Sequence, residues 1–582
     1  MSTIDWLIMC GFLAFIVIYG VWKTRKTKDL NDYILSGKTT PWYIVAISIM
    51  ATQASAITFL STPGQAYVDG MRFIQFYIGL PIAMVILSIT AVPLYHKLNV
   101  YTAYEYLEHR FDLKNRILGS VLFLIQRGLA AGFTIFAPSL IISVILQWDI
   151  NLTIIFVGVL VIIYTTVGGT IAVNKTHIQQ MAIIFVGMIA AFITIIYMLP
   201  NNVSFFDAAK IAGRMGKLNT IDFSFNFNDR YTFWSGLIGG TFLMLSYFGT
   251  DQSQVQRYLG GSSITQSRLG LLVNGIVKIP MQFLILFTGV LVFVFYQFIT
   301  PPLFFNPAGI KLVENSQYAY EYHSMNEKYK ELSSQKSKEL NSMVDAINKN
   351  DAQQEKLSLA KVENTQSSMT NLRSEYQALM KKENNKADTN DTNYIFLSFV
   401  INYLPIGLIG LVLAAIFSAS MSSTSAELNA LASTTVIDIY KRVLNKDATD
   451  HHYVFVSKIS TVLWGAYAIG FALFANKLGS LIEAVNILGS IFYGTILGIF
   501  LVAFYFKKVK GTPTFIAAII AEITVMCCFF FTDIPFLWFN VIGCLLVVVL
   551  ALAINRTRVD SLFRLNNQTN KPNSVSNNYF IR

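Results

Sequence analysis

Thirteen runs of roughly 20 mostly apolar residues, centred near residues 14, 52, 85, 130, 160, 189, 241, 284, 412, 465, 493, 521 and 543, recur along this chain. Each can cross a bilayer's hydrocarbon core as a helix. In lipid every backbone N–H and C=O must be satisfied within the protein, which leaves helices as the form these runs take. Only 13% of the 582 residues are charged against 54% hydrophobic, about half the charged fraction of a soluble domain. The chain therefore reads as an all-α polytopic membrane protein with about 13 transmembrane helices. The runs near 52 and 241 are the weakest, because glycines and polar residues interrupt them.

Charge sets an expected orientation. The net charge of +11 comes with basic clusters in alternate short loops, at 24–28, 108–116, 256–268, 440–446, 507–511 and 555–558. The positive-inside rule makes these loops cytoplasmic, so thirteen spans place the N-terminus outside and the C-terminus inside. The first run follows only five residues, without a basic n-region or a small-residue cleavage site, and reads as a retained helix. This favours a multi-pass protein of the plasma (inner) membrane. Cys10, Cys527, Cys528 and Cys544 sit within apolar runs and form neither a disulfide framework nor metal-ligand spacing.

Composition divides the chain into residues 1–310 with spans 1–8, a polar insertion at 311–392, spans 9–13 at 393–558 and an Asn-rich tail at 559–582 expected to be disordered. Within the insertion, Met325, Tyr329, Leu332, Leu340, Met343, Ile347, Met369, Leu372, Tyr376 and Leu379 recur at intervals of three and four. That spacing predicts an external helical hairpin, broken near residues 348–354.

Irregular backbone at membrane depth is tolerated only where it lines protein or a water cavity. The second run, "VAISIMATQASAITFLSTPGQAYVDGM", is rich in small and hydroxyl residues, and the seventh carries Gly236, Gly239, Gly240 and Gly249. These two runs lie five spans apart, the sequence pointer to a transporter's central site; helix packing through small residues uses the same composition. A third feature is "SASMSSTSAELNA" at 418–430, crowded with hydroxyls that a lipid-facing helix would not need.

Three motifs carry a resemblance. "FGTDQSQVQRYLGGSS" at 248–263, "IYTTVGGTIAV" at 163–173 and "LPIGLIGLVLAAIFSASMSSTSAELNALASTTVIDIYKR" at 404–442 resemble those of the sodium/solute symporter family. "SAITFLSTPGQAYVDGM" at 55–71 is closer to its iodide, monocarboxylate and multivitamin branch than to its sugar branch. The resemblance implies a leucine-transporter-type fold with two inverted five-helix repeats and alternating access. It also implies one sodium ion held by the carbonyls of Ala51, Ala54 and Ala419 and the hydroxyls of Ser422 and Ser423. A hard cation takes such oxygens in place of its hydration shell, and residues 419, 422 and 423 share one helix face.

By the same resemblance, Gln53, Thr58, Tyr77 and Asn486 border the substrate and Tyr247 is an aromatic inner gate. Tyr77 or an uncharged neighbour replaces an acidic residue of the sugar branch, and Met244 replaces its asparagine. These departures argue against hexose transport, since unpaired buried hydroxyls are costly. His177 stands where several members carry an aspartate for a further sodium, and Glu427 adds a carboxylate one turn beyond Ser423. Both are coupling candidates: either they face each other as a swapped pair, or His177 is unpaired at the cytoplasmic end and Glu427 faces water. Pro63 and Gly64 are expected to set the bend of the second run; Asp251, Gln252 and Arg257 to pin the end of the seventh; Glu483 and Glu522 are further intramembrane carboxylates.

The leading function is a symporter importing a small solute, such as an organic anion or vitamin-like metabolite, with sodium. The expected partners are solute, sodium and the bilayer, without nucleic acid, organic cofactor, resident metal or catalytic residues. A proton-coupled carrier or a non-transporting sensor on the same fold is the alternative, and concentrative uptake separates transport from sensing.

Overall fold

The computed structural model describes residues 1–24, 38–475 and 480–569. The basic loop at 25–28 and the tail beyond 569 lie outside the described residues. Every named element among them is helical. Fifteen of the helices are α1 (Thr3–Thr24), α2 (Trp42–Gln53), α3 (Ala56–Asp69), α4 (Gly79–Ile89), α5 (Leu113–Leu146), α6 (Ile150–Tyr197), α7 (Gly240–Gly249), α8 (Ile264–Phe298), α9 (Ala319–Asn348), α10 (Ala352–Glu383), α11 (Leu408–Thr434), α12 (Asp450–Ala475), α13 (Leu481–Tyr505), α14 (Gly511–Phe531) and α15 (Phe536–Thr569).

Ten helices among the described residues are long and apolar enough to cross a membrane, and three shorter apolar ones, Trp42–Gln53, Ile150–Thr166 and Ser235–Gly249, cover the runs near 52, 160 and 241. All thirteen runs are thus helical. The runs near 160 and 189 belong to one helical element, α6, but that element is not straight. Tyr164 Oη lies 3.0 Å from Thr176 Oγ1, whereas twelve residues of straight helix would separate them by about 18 Å. Side-chain caps start these helices: Asp112 accepts from Asn115 N at 3.1 Å before α5, and Asp149 from Asn151 N at 2.8 Å before α6. At the far end, α15 continues to Thr569, so the tail drawn from residue 559 begins as helix.

The decisive irregularity lies between α2 and α3. Ala54 leaves the helix at φ −84°, ψ 82°, and Ser55 is extended at φ −85°, ψ 172°. Ser55 N then bonds Gln53 O at 3.2 Å and Thr58 N bonds Ser55 O at 3.0 Å. Neither amide serves the carbonyl four residues earlier, so the ladder releases the carbonyls of Ala51 and Ala54. Pro63 and Gly64 lie inside α3, which runs through both, so the break in the chain falls ahead of them, at Ala54 and Ser55. Gly64 serves packing: a Cβ there would lie 2.0 Å from the Thr392 carbonyl oxygen. The second break comes at Thr250, after α7 and a π-turn at Ser235–Gly239. Gly236 in that turn sits against Gln75 O, only 2.0 Å from an added Cβ.

Helices α9 and α10 form a helical hairpin. Its base packs Tyr322, Tyr329, Met369, Leu372 and Tyr376 around Leu303 and Phe304, while Leu340, Met343, Ile347 and Val362 nearer the tip join the main core. Arg214 Nε meets Glu355 at 2.5 Å, and Asn202 donates to Asn341 at 3.1 Å. The hairpin therefore lies against the bundle along its length instead of projecting from it.

Candidate functional site

The Ala51 carbonyl freed at the first break faces the serine-rich α11. Ser422 Oγ donates to Ala51 O at 3.0 Å, and Ser423 Oγ donates to Ala419 O at 3.0 Å and Ser420 O at 3.2 Å. Ala51, Ala54, Ala419 and Ser423 are fully buried and Ser422 nearly so. The structure thus brings hydroxyls and carbonyls of the predicted sodium set together across two helices. Each hydroxyl bonds a carbonyl of that same set.

Beside this cluster lies a cavity of about 90 Å³ between the two broken helices, α5, α11 and α13. Gln53, Thr58, Tyr77, Tyr247 and Asn486 all line it. Gln53 Oε1 is buried without a hydrogen-bond partner, an acceptor left open toward a ligand or water. Asn486 Nδ2 is tied back to Ile482 O at 2.7 Å. Tyr247 Oη accepts from Gln254 Nε2 at 2.6 Å, which anchors the ring to the helix following the second break.

Sequence reasoning missed Arg127, which lines the same cavity and is 4% exposed. Its guanidinium bonds Asp251 and Tyr493 Oη, lies 3.1 Å from Glu427 Oε1, and stands over the Tyr247 ring at 5.4 Å. Tyr493 Oη donates to Asp251 at 2.9 Å, and Thr134 Oγ1 donates to Glu427 Oε2 at 3.0 Å. Nε of Arg127 is buried without a partner. An arginine inside an apolar run is itself the signal that could have found it.

The swapped pair is overturned. His177 Nδ1 lies 3.0 Å from Ser48 Oγ, while Glu427 is held by Arg127 and Thr134. The two residues face opposite sides of α11, one toward α2 and the other toward α5. Asp251 caps the helix Gln252–Leu259 through Ser253 N at 2.9 Å, and Gln252 Oε1 accepts from Ala103 N at 3.1 Å, both pinning the second break. Glu483 lies near one end of the cavity, bonded by Arg230 Nη1 and Tyr231 Oη, each at 3.0 Å. Both Glu522 oxygens are buried without a partner, and Glu522 does not line the cavity.

The sodium:solute symporter family model matches residues 33–320 and 377–521, passing over most of the hairpin. The sodium-coupled monocarboxylate transporter 1 of Mus musculus is 28% identical over 502 residues, covering 85% of this chain and 68% of that one. A sodium/sialic acid symporter of Aliivibrio fischeri is 25% identical over 555 residues, covering 94% and 92%. The human sodium/iodide cotransporter is 29% identical over 278 residues, covering 47% and 42%. A solved substrate-bound, outward-open sodium-coupled sialic acid symporter superposes with a TM-score of 0.73 over 96% of this chain and 98% of that one, at 22% identity. The fold is accordingly of the leucine-transporter type, and the chain belongs to the sodium:solute symporter family.

Proposed function

We propose that this symporter carries a small organic anion in the cavity lined by Gln53, Thr58, Tyr77, Tyr247 and Asn486, together with one sodium ion held by Ala51, Ala54, Ala419, Ser422 and Ser423. The 3.0 Å bond from Ser422 to the released Ala51 carbonyl carries the sodium reading, because it joins two proposed ligands from helices 371 residues apart. Sodium displaces these internal hydrogen bonds and turns the same oxygens inward. His177 leaves the position of a further sodium without a carboxylate.

Arg127 supports the anion. It borders the cavity with Nε still unpaired, a donor for a solute oxygen, although Asp251 and Glu427 already balance its charge. Monocarboxylate, sialic acid and iodide, the solutes in the names of the relatives, are all anions. Alternating access then exposes the cavity on either side, with Tyr247 closing one. The basic loops place the N-terminus outside and the C-terminus in the cytoplasm, in a plasma (inner) membrane. Glu427 acts with Arg127 in setting the charge at the site.

The test is thermal stability titrated with sodium against potassium at equal ionic strength. Sodium at a hundredfold excess over its Kd adds roughly 2.7 kcal/mol to the folded state, and Ser423→Ala loses that gain. Equal response to both cations removes the sodium site; sodium-driven accumulation of radiolabelled monocarboxylates or sialic acid in vesicles then tests the anion reading.

A further inference from the structure

We propose that the segment 221–234 is a membrane-interface anchor, whose ring side chains insert at the boundary between lipid headgroups and acyl chains. Residues 215–232 form no helix. Ile221, Phe223, Phe225 and Phe227 are 54%, 66%, 62% and 55% exposed. Between them Asp222 is held by the bundle, while Ser224 and Asn226 are exposed to the outside. Asp222 N donates to Gln75 Oε1 at 2.8 Å, and the Asp222 carboxylate accepts from Arg72 at 3.1 Å. The segment is thus fastened to the bundle at Asp222, and its apolar side chains stand exposed on either side of that point.

These rings continue the apolar surface of two candidate membrane spans, Gly511–Phe531 and Phe536–Thr557. Phe225 packs on Trp234 with ring centroids 6.0 Å apart, and Phe227 on Trp538 at 5.1 Å. Trp538 lies in the first turn of α15, where the apolar span Phe536–Thr557 starts. At the neighbouring end of α14, Phe530 and Phe531 are 69% and 84% exposed. Rings gathered at the level where two spans begin and end match the aromatic belts of membrane interfaces. Trp234 suits such a level in detail, because its ring is apolar and its Nε1 donates to Phe223 O at 3.2 Å.

The position also has a mechanical consequence. The same segment carries Asp229, which bonds Arg72 at 2.5 Å, and Arg230 and Tyr231, which hold Glu483 at the start of α13. A segment fixed both in the lipid boundary and to α13 links the membrane surface to one end of the cavity.

The experiment places a bimane probe at Phe225→Cys and, separately, at Ser224→Cys, in a full-length background in which Cys10, Cys527 and Cys528 are serine. Both proteins are reconstituted in phosphatidylcholine vesicles. Lipids with a nitroxide at the 5-position quench the 225 probe at least about twofold more than the 224 probe, and aqueous iodide quenches in the reverse order. Equal quenching of both probes by iodide, with none by the labelled lipid, overturns the anchor. So does protection of the 225 probe from both quenchers, which marks a protein partner or second copy over the rings.

Discussion

The Arg127 guanidinium lies 3.1 Å from Glu427, joining α5 to the serine-rich α11 at the edge of the cavity. Asp251 is the guanidinium's other carboxylate partner, so one buried cation serves two buried anions. The three charges are unequal in consequence. Arg127→Met strands both carboxylates and costs about 3–5 kcal/mol of stability. Glu427→Gln keeps the shape and its bond to Thr134, leaves Arg127 with Asp251, and costs under about 1.5 kcal/mol. Melting of the purified variants checks the order, and Arg127→Met melting like the wild type refutes the network.

Backbone approach gives a prediction independent of charge. A methyl at position 64 would lie 2.0 Å from the Thr392 carbonyl oxygen, a backbone atom that cannot swing aside. Gly64→Ala should therefore lose about 1–3 kcal/mol through overpacking. Gly11 in α1 has nothing within 4 Å of an added Cβ, and Gly11→Ala serves as the control, with stability unchanged or slightly raised by the better helix former. Thermal melting of the two variants side by side decides it; equal losses would mean that the close approach at Gly64 is not what matters.

The bonds from Arg230 and Tyr231 to Glu483 lie one turn before Asn486 on α13, next to Ile482 of the cavity wall. Glu483→Ala releases both. The reactivity of an Asn486→Cys thiol toward a water-soluble maleimide should rise several-fold in that background, because an exposed ion pair contributes little alone but the shared carboxylate fixes two groups at once. Unchanged reactivity would show that access to residue 486 rests on packing around Ile482 and not on these bonds.

The sequence is legible where one residue type has few alternative uses. Serines in an apolar helix and a hydroxyl-rich interruption at 51–55 find each other in space, and intervals of three and four mark out the hairpin. Gly64 is less legible, because a glycine beside a proline suits a bend and a close contact alike, and the approach of Thr392 to it exists only in the folded chain. Glu427 shows the other limit. Its carboxylate is plain in the sequence, yet its partner lies 300 residues away on α5, and no local pattern distinguishes Arg127 from His177. Arg127 was legible on its own terms, as a charge in "FLIQRGLAAGF", where membrane burial is costly enough to demand a partner.

The hairpin carries a pH signature. Lys336 is 2% exposed, donates to Gln366 Oε1 at 3.0 Å, and burial pushes its pKa down to about 8. Its unfolded value is near 10.4, so between these two values the unfolded chain holds a proton that the folded hairpin has released. Stability then rises with pH across that window, by up to roughly 3 kcal/mol, and is lowest where the buried ammonium is charged, below about pH 8. Lys336→Met removes the titrating group and keeps an unbranched apolar side chain in its place. The difference in melting temperature between variant and wild type should be largest in favour of the variant near pH 7 and shrink steadily toward pH 10. A difference that stays constant with pH would place the Lys336 ammonium in water, in contradiction to its burial between α9 and α10.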